Sequence, residues 1–504
     1  MSDFKSMIPM FWPGGPLEAA RQNKSAGSSE NAGEVSGRWN RPEALRLLDG
    51  TPINALVIPW AAGLPEDAEQ QKTSLPLAEA AKKRGLTVLG WVEKAADPRP
   101  AAAAAKSAGL SGIIATAFPG QADVPVLACS GRDGVPWDAP GSVLVLTENV
   151  WPGVSMAAGG QDSSSGPTAA PWLDSNGWFV QMACARISAP VWLSFDPPGK
   201  GEIVPPQSYS SAICDSEIAG GRWIISLDAR LRADLLAGLD TAQKTWKEIC
   251  AAAAFFEKRS EWKTFASRGE MGVLSDFSRD NFDFGGEILN LMARRDLLFR
   301  VLWKSQVTAR SFEGLKAMVY ADKEKPAPAL REKLIDFVQQ GGLLLAGYGW
   351  GPEGRPLEPE FMTQYELRSL GKGRLAVARE EIPDPYQVAV DAQLLLSHRH
   401  DLMKIFNGSS SGCNRFLISP DGNRCVLQTL SYASSFNGRR EGALRTVWVR
   451  DACRSAKVWT IGAEPEILAA EPSDHFEGME FHLPARALQP FVALEYEMES
   501  RRQV

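Results

Sequence analysis

Histidine is almost missing from this chain: its 504 residues include four, and none precedes His398. Everything before that point lacks an imidazole general base and any His-ligated metal. His398-Arg399-His400 marks one strand face with no third ligand nearby, so no metal site is expected. The seven cysteines, at 129, 184, 214, 250, 413, 425 and 453, form no CxxC pair and no zinc spacing. They read as buried free thiols; Cys413 and Cys425 are placed to pair across a hairpin if the compartment is oxidising. No run approaches the roughly 20 apolar residues that a membrane span requires, so no membrane partner is expected. The start, Met-Ser-Asp-Phe, lacks the basic-then-apolar pattern of a leader, which leaves a cytoplasmic protein or an exported one whose signal peptide has been removed. Lys/Arg-rich runs are also missing, and the net charge is −6, which argues against nucleic acid and favours a neutral or weakly charged ligand. No GxGxxG follows a strand-like run, so a dinucleotide fold and a nucleotide cofactor are not indicated.

Tryptophan, by contrast, is plentiful, with 16 residues. An indole face is a good platform for the C–H face of a sugar. Short apolar runs recur through the first half: Met7–Trp12, Ile53–Trp60, Leu86–Glu93, Leu110–Phe118, Val124–Cys129, Ser142–Glu148, Pro190–Asp196 and Gly221–Asp228. Helical patterns such as Leu75–Arg84, Pro100–Ala108 and Gly177–Ile187 separate them, and a long last helix is expected from Ala229 to about Trp262. Near-continuous apolar strands alternating with helices imply a parallel sheet buried on both faces. Eight of them in one half of the chain imply a closed (β/α)8 TIM barrel over residues 1–262.

Residues 263–374 follow a βαβαβ order: Met271–Ser275, an amphipathic helix Gly285–Lys304, Leu315–Tyr320, a helix Pro328–Gln340, and Gly342–Gly347. That order predicts a small α/β domain of flavodoxin or amidotransferase type. With no elbow cysteine, and with Asp276 outside any P-loop, it reads as structural. Residues 375–504 alternate apolar and polar positions, and Arg415–Ser431 spells two strands around Pro-Asp-Gly-Asn, which suits a β-sandwich. The expected class is therefore α/β multidomain.

Function in barrels gathers where strands end. Trp12, Trp60, Trp91 and Trp151 lie at or near such ends and would form a stacking wall for a sugar ring. Glu93, Glu148, Asp196 and Asp228 end four strands. Glycoside hydrolysis needs two carboxyl groups flanking the scissile bond. Glu148 and Asp196 end adjacent strands, so Glu148 is assigned as acid/base and Asp196 as nucleophile or base. Asp228 is better suited to capping the helix after it, while Asp196 also suits capping a turn and Glu93 an ion pair with Lys94 or a neighbouring Arg at the rim. The long loop after strand six carries Trp172, Asp174 and Asn176, able to close over a ligand or to cap the helix at Gly177. Lys94 offers a Schiff-base alternative if it lies deep in the barrel mouth.

The order of barrel, small α/β domain and β domain resembles the family-42 β-galactosidases and related barrel glycosidases. The resemblance implies a middle domain that mediates assembly into a homo-oligomer. It also implies an Asn-Glu acid/base after strand four and a nucleophilic Glu after strand seven. Here strand four ends Ala115-Thr116-Ala117-Phe118 without an acid, and Asp196 stands at the strand-seven position. The expectation is a divergent glycoside hydrolase acting on an oligo- or polysaccharide; its rival is an inactive saccharide-binding protein of the same architecture.

Overall fold

The computed structural model describes residues 4–24, 32–116, 122–138, 141–152, 154–156, 165–167, 175–194, 204–351, 353–358, 364–381, 384–406, 412–432, 445–484 and 490–499. The chain divides into two compact units, one of residues 1–167 with 187–259 and the other of residues 168–186 with 260–504. No helix among the described residues is long and apolar enough to cross a membrane.

The first unit is built on eight parallel strands in sequence order: Pro9–Phe11, Ala55–Ala61, Thr87–Val92, Gly112–Ala115, Val126–Ser130, Leu144–Leu146, Val191–Leu193 and Arg222–Trp223. The ring closes through one parallel bridge between Met10 and Ile225. There the Phe11 amide donates to Ile225 O at 2.9 Å and the Ile225 amide to Pro9 O at 3.0 Å. All eight strand-like runs of the sequence are in this ring. Side chains on a strand alternate faces, so one parity must fill the barrel. That parity is Phe11, Val57, Leu89, Ile114, Leu127 with Cys129, Val143 with Val145, Trp192 and Ile224, which form one buried cluster. The opposite parity, including Met10, Leu56, Val88 and Leu144, is equally buried under the helices, as a sheet covered on both faces requires.

The helix layer is less regular than the strands. Among the described residues no helix joins strands four and five, and only the 3-10 turn Arg132–Gly134 follows strand five. The single long helix expected after strand eight is two, Ala229–Ala237 and Asp240–Glu257. Gly238 ends the first in a left-handed conformation, φ 75°, which only glycine adopts at little cost. The helix Gly177–Arg186 belongs to the second unit. Its Phe179 ring lies 5.8 Å from Phe282, and its Met182 carbonyl accepts from Trp303 Nε1 at 2.9 Å.

The second unit holds three larger sheets. A seven-stranded one runs Phe299–Trp303, Met271–Ser275, Ala317–Tyr320, Leu343–Ala346 and Gly373–Ala378 in parallel, then Tyr365–Leu370 and Arg355–Pro356 antiparallel. The helix expected over Gly285–Lys304 is corrected: helix Asp280–Arg294 stops, Asp296 turns at φ 60°, and Phe299–Trp303 is an edge strand. Gly373–Ala378 belongs to this sheet, and the helix Pro385–Leu396 follows it, so α/β structure continues beyond Leu375. Antiparallel sheets of six and four strands share one core that includes Phe416, Leu427, Val447, Phe481 and Leu494. None of the seven cysteines is in a disulfide. Cys413 faces Leu430 and Cys425 faces Ile418, so the hairpin register separates the two thiols.

Asp296 carries a pH signature. Burial pushes its carboxyl from 3.8 up to about 6, against the lowering effects of an Asn414 hydrogen bond and of Arg445 and Arg295. A carboxyl raised in the native state binds more protons there than in the unfolded chain, so stability falls as pH rises from about 4 to about 6. Asp296→Asn is expected to remove that slope and to gain roughly 1–2 kcal/mol over wild type above pH 6. Urea unfolding at either end of the window measures it; an identical slope in both proteins would refute the assignment.

Candidate functional site: the barrel mouth

On strand three the parity that fills the barrel also decides which strand-end residues reach its mouth, whereas Glu148 has the outward parity of Leu144 and Leu146 and its turn carries the side chain over to Gly131. On strand three Leu89 and Trp91 point inward, Trp91 being partly buried against the barrel cluster. Glu93 continues the same face, half-buried, its amide donating to Ala61 O at 2.8 Å. Lys94 has the opposite parity and is exposed, which removes the desolvated pocket a Schiff-base lysine needs.

Glu148 stands two residues beyond strand six in the left-handed region, φ 61°, a conformation rare outside glycine and enriched where function holds strain in place. Both of its flanks are pinned. The Thr147 amide donates to Ser130 O at 2.9 Å. Asn149, 2% exposed, donates from Nδ2 to Leu146 O at 2.7 Å and to Ser194 O at 3.0 Å, tying strand six to strand seven. The exposed Glu148 side chain lies against Gly131, where an added Cβ would stand 2.5 Å from Oε2 and 2.9 Å from Cδ. Gly131 follows Leu127 and Cys129 on the inward face of strand five. A carboxylate therefore rests on a mouth position left bare by glycine. Neither Gly131 nor Asn149 was singled out from sequence; the signal was a glycine in register with the inward residues of its strand.

The other expected indoles are wall residues, which corrects their reading as a stacking platform. Trp12 is 1% exposed, packs edge-on to Trp39 at 4.5 Å, and donates from Nε1 to Trp39 O at 2.8 Å. Trp60 is 1% exposed, lies over Gly90 with Cγ 2.8 Å from where a Cβ would be, and donates to Ala101 O at 2.9 Å. Trp151 is 5% exposed, wedged between Tyr209 at 5.3 Å and Trp223 at 5.2 Å. Asp228 is likewise structural. Its Oδ1 accepts from the Leu231 amide at 2.8 Å as the cap of Ala229–Ala237, and its Oδ2 accepts from Tyr209 Oη at 2.7 Å. Asp228→Ala is expected to cost about 2 kcal/mol of stability by losing both bonds, with ligand affinity unchanged. A fall in affinity without a fall in stability would return Asp228 to the ligand.

Asn176 is 1% exposed and belongs to the second unit, where its carbonyl accepts from the Val180 amide at the start of Gly177–Arg186. Asp196, Trp172 and Asp174 lie outside the described residues. No group of three or more His, Cys, Asp or Glu side chains is placed to hold a metal ion among the described residues.

No protein-family model matches the chain, and no curated protein matches it. Among solved structures it is similar to alpha-L-fucosidase isoenzyme 2 from Paenibacillus thiaminolyticus, at TM-score 0.59 and 11% identity over 98% of this chain and 100% of that one. A beta-galactosidase from Bacillus circulans sp. alkalophilus is matched at TM-score 0.41 and 9% identity over 86% and 68% of the two chains. The latter is too distant to carry an argument. The former shows the fold alone: an α/β multidomain chain on an eight-stranded parallel barrel.

Proposed function

We propose that this chain is a divergent glycoside hydrolase that works at the barrel mouth on an oligo- or polysaccharide. The observation that carries the reading is Glu148: a carboxylate on a strained, pinned backbone, lying on the bare glycine at the inward end of strand five. Such a group can give a proton to a glycosidic oxygen and take one from water. Its partner is Asp196, three residues beyond strand seven, whose Leu193 pairs with Leu146 of strand six. Glu93 and Trp91 line the same mouth, Glu93 accepting sugar hydroxyls and Trp91 offering an aromatic face. The reaction needs no metal or cofactor, because two carboxyl groups suffice.

The finer architecture belongs to the same proposal. We read the seven-stranded sheet as an amidotransferase-like domain that joins copies of the chain into a homo-oligomer, and the two antiparallel sheets as a β-sandwich. The rival, a saccharide-binding protein without activity, is favoured by the lack of an acid in Ala115-Thr116 after strand four. A panel of aryl-glycosides, fucosides and galactosides among them, incubated with wild type and Glu148→Gln tests the proposal. Hydrolysis by wild type alone supports it. Inertness of both proteins, with retained sugar binding, favours the rival.

A further inference from the structure

Glu148 reaches the barrel mouth against the register of its own strand. Val143 and Val145 belong to the inward cluster, so Leu144, Leu146 and, in a continued strand, Glu148 point outward under the helices. The hydrogen-bond ladder between strands six and seven would hold it there, because a parallel ladder repeats at every second residue. The Leu144 amide donates to Pro190 O at 3.0 Å, and the Ser194 amide returns to Leu146 O at 2.8 Å. The next rung would join the Glu148 amide to Ser194 O. At φ 61° Glu148 has left the strand, and Asn149 Nδ2 meets Ser194 O in its place, at 3.0 Å.

A side-chain amide thus replaces a rung of the backbone ladder. Its nitrogen donates to two carbonyls, Ser194 O at 3.0 Å and Leu146 O at 2.7 Å. Its Oδ1 is buried and has no hydrogen-bond partner among the described residues. The position uses a double donor and no acceptor, and among side chains of this size only asparagine carries an NH2 group. A buried acceptor left unpaired is destabilising, so what the residue contributes here lies in its donors. With strands six and seven still joined past Leu146, the backbone at Glu148 can turn over and lay the carboxylate on Gly131.

We propose that Asn149 is the positioning residue of the acid/base carboxylate: by standing in for the lost rung it keeps Glu148 out of strand register and on the inward side of the rim. This role rests on the reading of Glu148 as acid/base, and a structural readout separates the two. In crystals of Asn149→Ala, Glu148 is expected to return to a negative φ, with its amide on Ser194 O and its side chain off Gly131. On any glycoside that wild type cleaves, kcat should fall about 10²-fold with KM near wild type, the effect of misplacing a catalytic group. Asn149→Asp keeps the size of the side chain but has no donor at neutral pH, so it should lose as much as Asn149→Ala. A residue that only filled space would leave Asn149→Asp near wild type. Asn149→Ala buries no charge, so it reads the position even where Asn149→Asp fails to fold. Glu148 unmoved in the Asn149→Ala crystal would overturn the positioning role, as would a kcat of Asn149→Asp close to that of wild type. A displaced Glu148 with undiminished activity would leave the positioning intact and remove the acid/base reading instead.

Discussion

Glu148→Gln is expected to lower kcat/KM by about 10²–10⁴-fold on any glycoside the chain cleaves, the range that a positioned general acid/base contributes. The substitution keeps the size of the side chain and its seat on Gly131, so KM and the unfolding midpoint should stay near wild type. The loss then falls on kcat, as for an interaction made only in the transition state. The pinned backbone makes the test sharp, because the Thr147–Ser130 and Asn149–Ser194 bonds hold the turn whatever its side chain is. If Glu148→Gln retains full activity while Asp196→Asn or Glu93→Gln abolishes it, the acid/base role moves to that carboxylate.

The second large effect separates two tryptophans that the sequence presents alike. Trp60→Ala removes a nearly fully buried indole with its bond to Ala101 O, and is expected to cost about 3–5 kcal/mol of stability. Protein that remains folded should bind saccharide as wild type does. Trp91→Ala, at the half-buried inner face, is expected to weaken saccharide binding about tenfold while costing about 1–2 kcal/mol of stability. Urea unfolding and sugar titration on both variants make the comparison. The reverse pattern would mean that the inward and outward faces of the barrel have been exchanged.

That contrast marks where the sequence stops being legible. The eight barrel strands can be read from apolar runs alone, because a strand covered on both faces has no polar side to confuse the pattern. The same property hides which residues face inward, since both parities are apolar. On strand two a register shift between Pro59 and Ala61 against strand three intervenes at Trp60. Trp12, Trp60 and Trp91 were therefore equivalent as text and distinct only once strands were paired. Phe299–Trp303 was lost for a related reason: its apolar residues continue the helical spacing of Asp280–Arg294, and the turn at Asp296 has no glycine or proline to announce it.

Composition and pattern alone determined that this chain has a parallel barrel followed by α/β and antiparallel parts, and that its first half contains no histidine. These depend on residue type and local spacing, which a sequence states outright. The tertiary structure decided that Asp228 caps a helix, that three indoles brace the wall, and that Glu148 lies on Gly131 between pinned strands. Those outcomes depend on contacts between residues far apart in the chain, and hydrogen-bond register, not residue identity, brings such residues together.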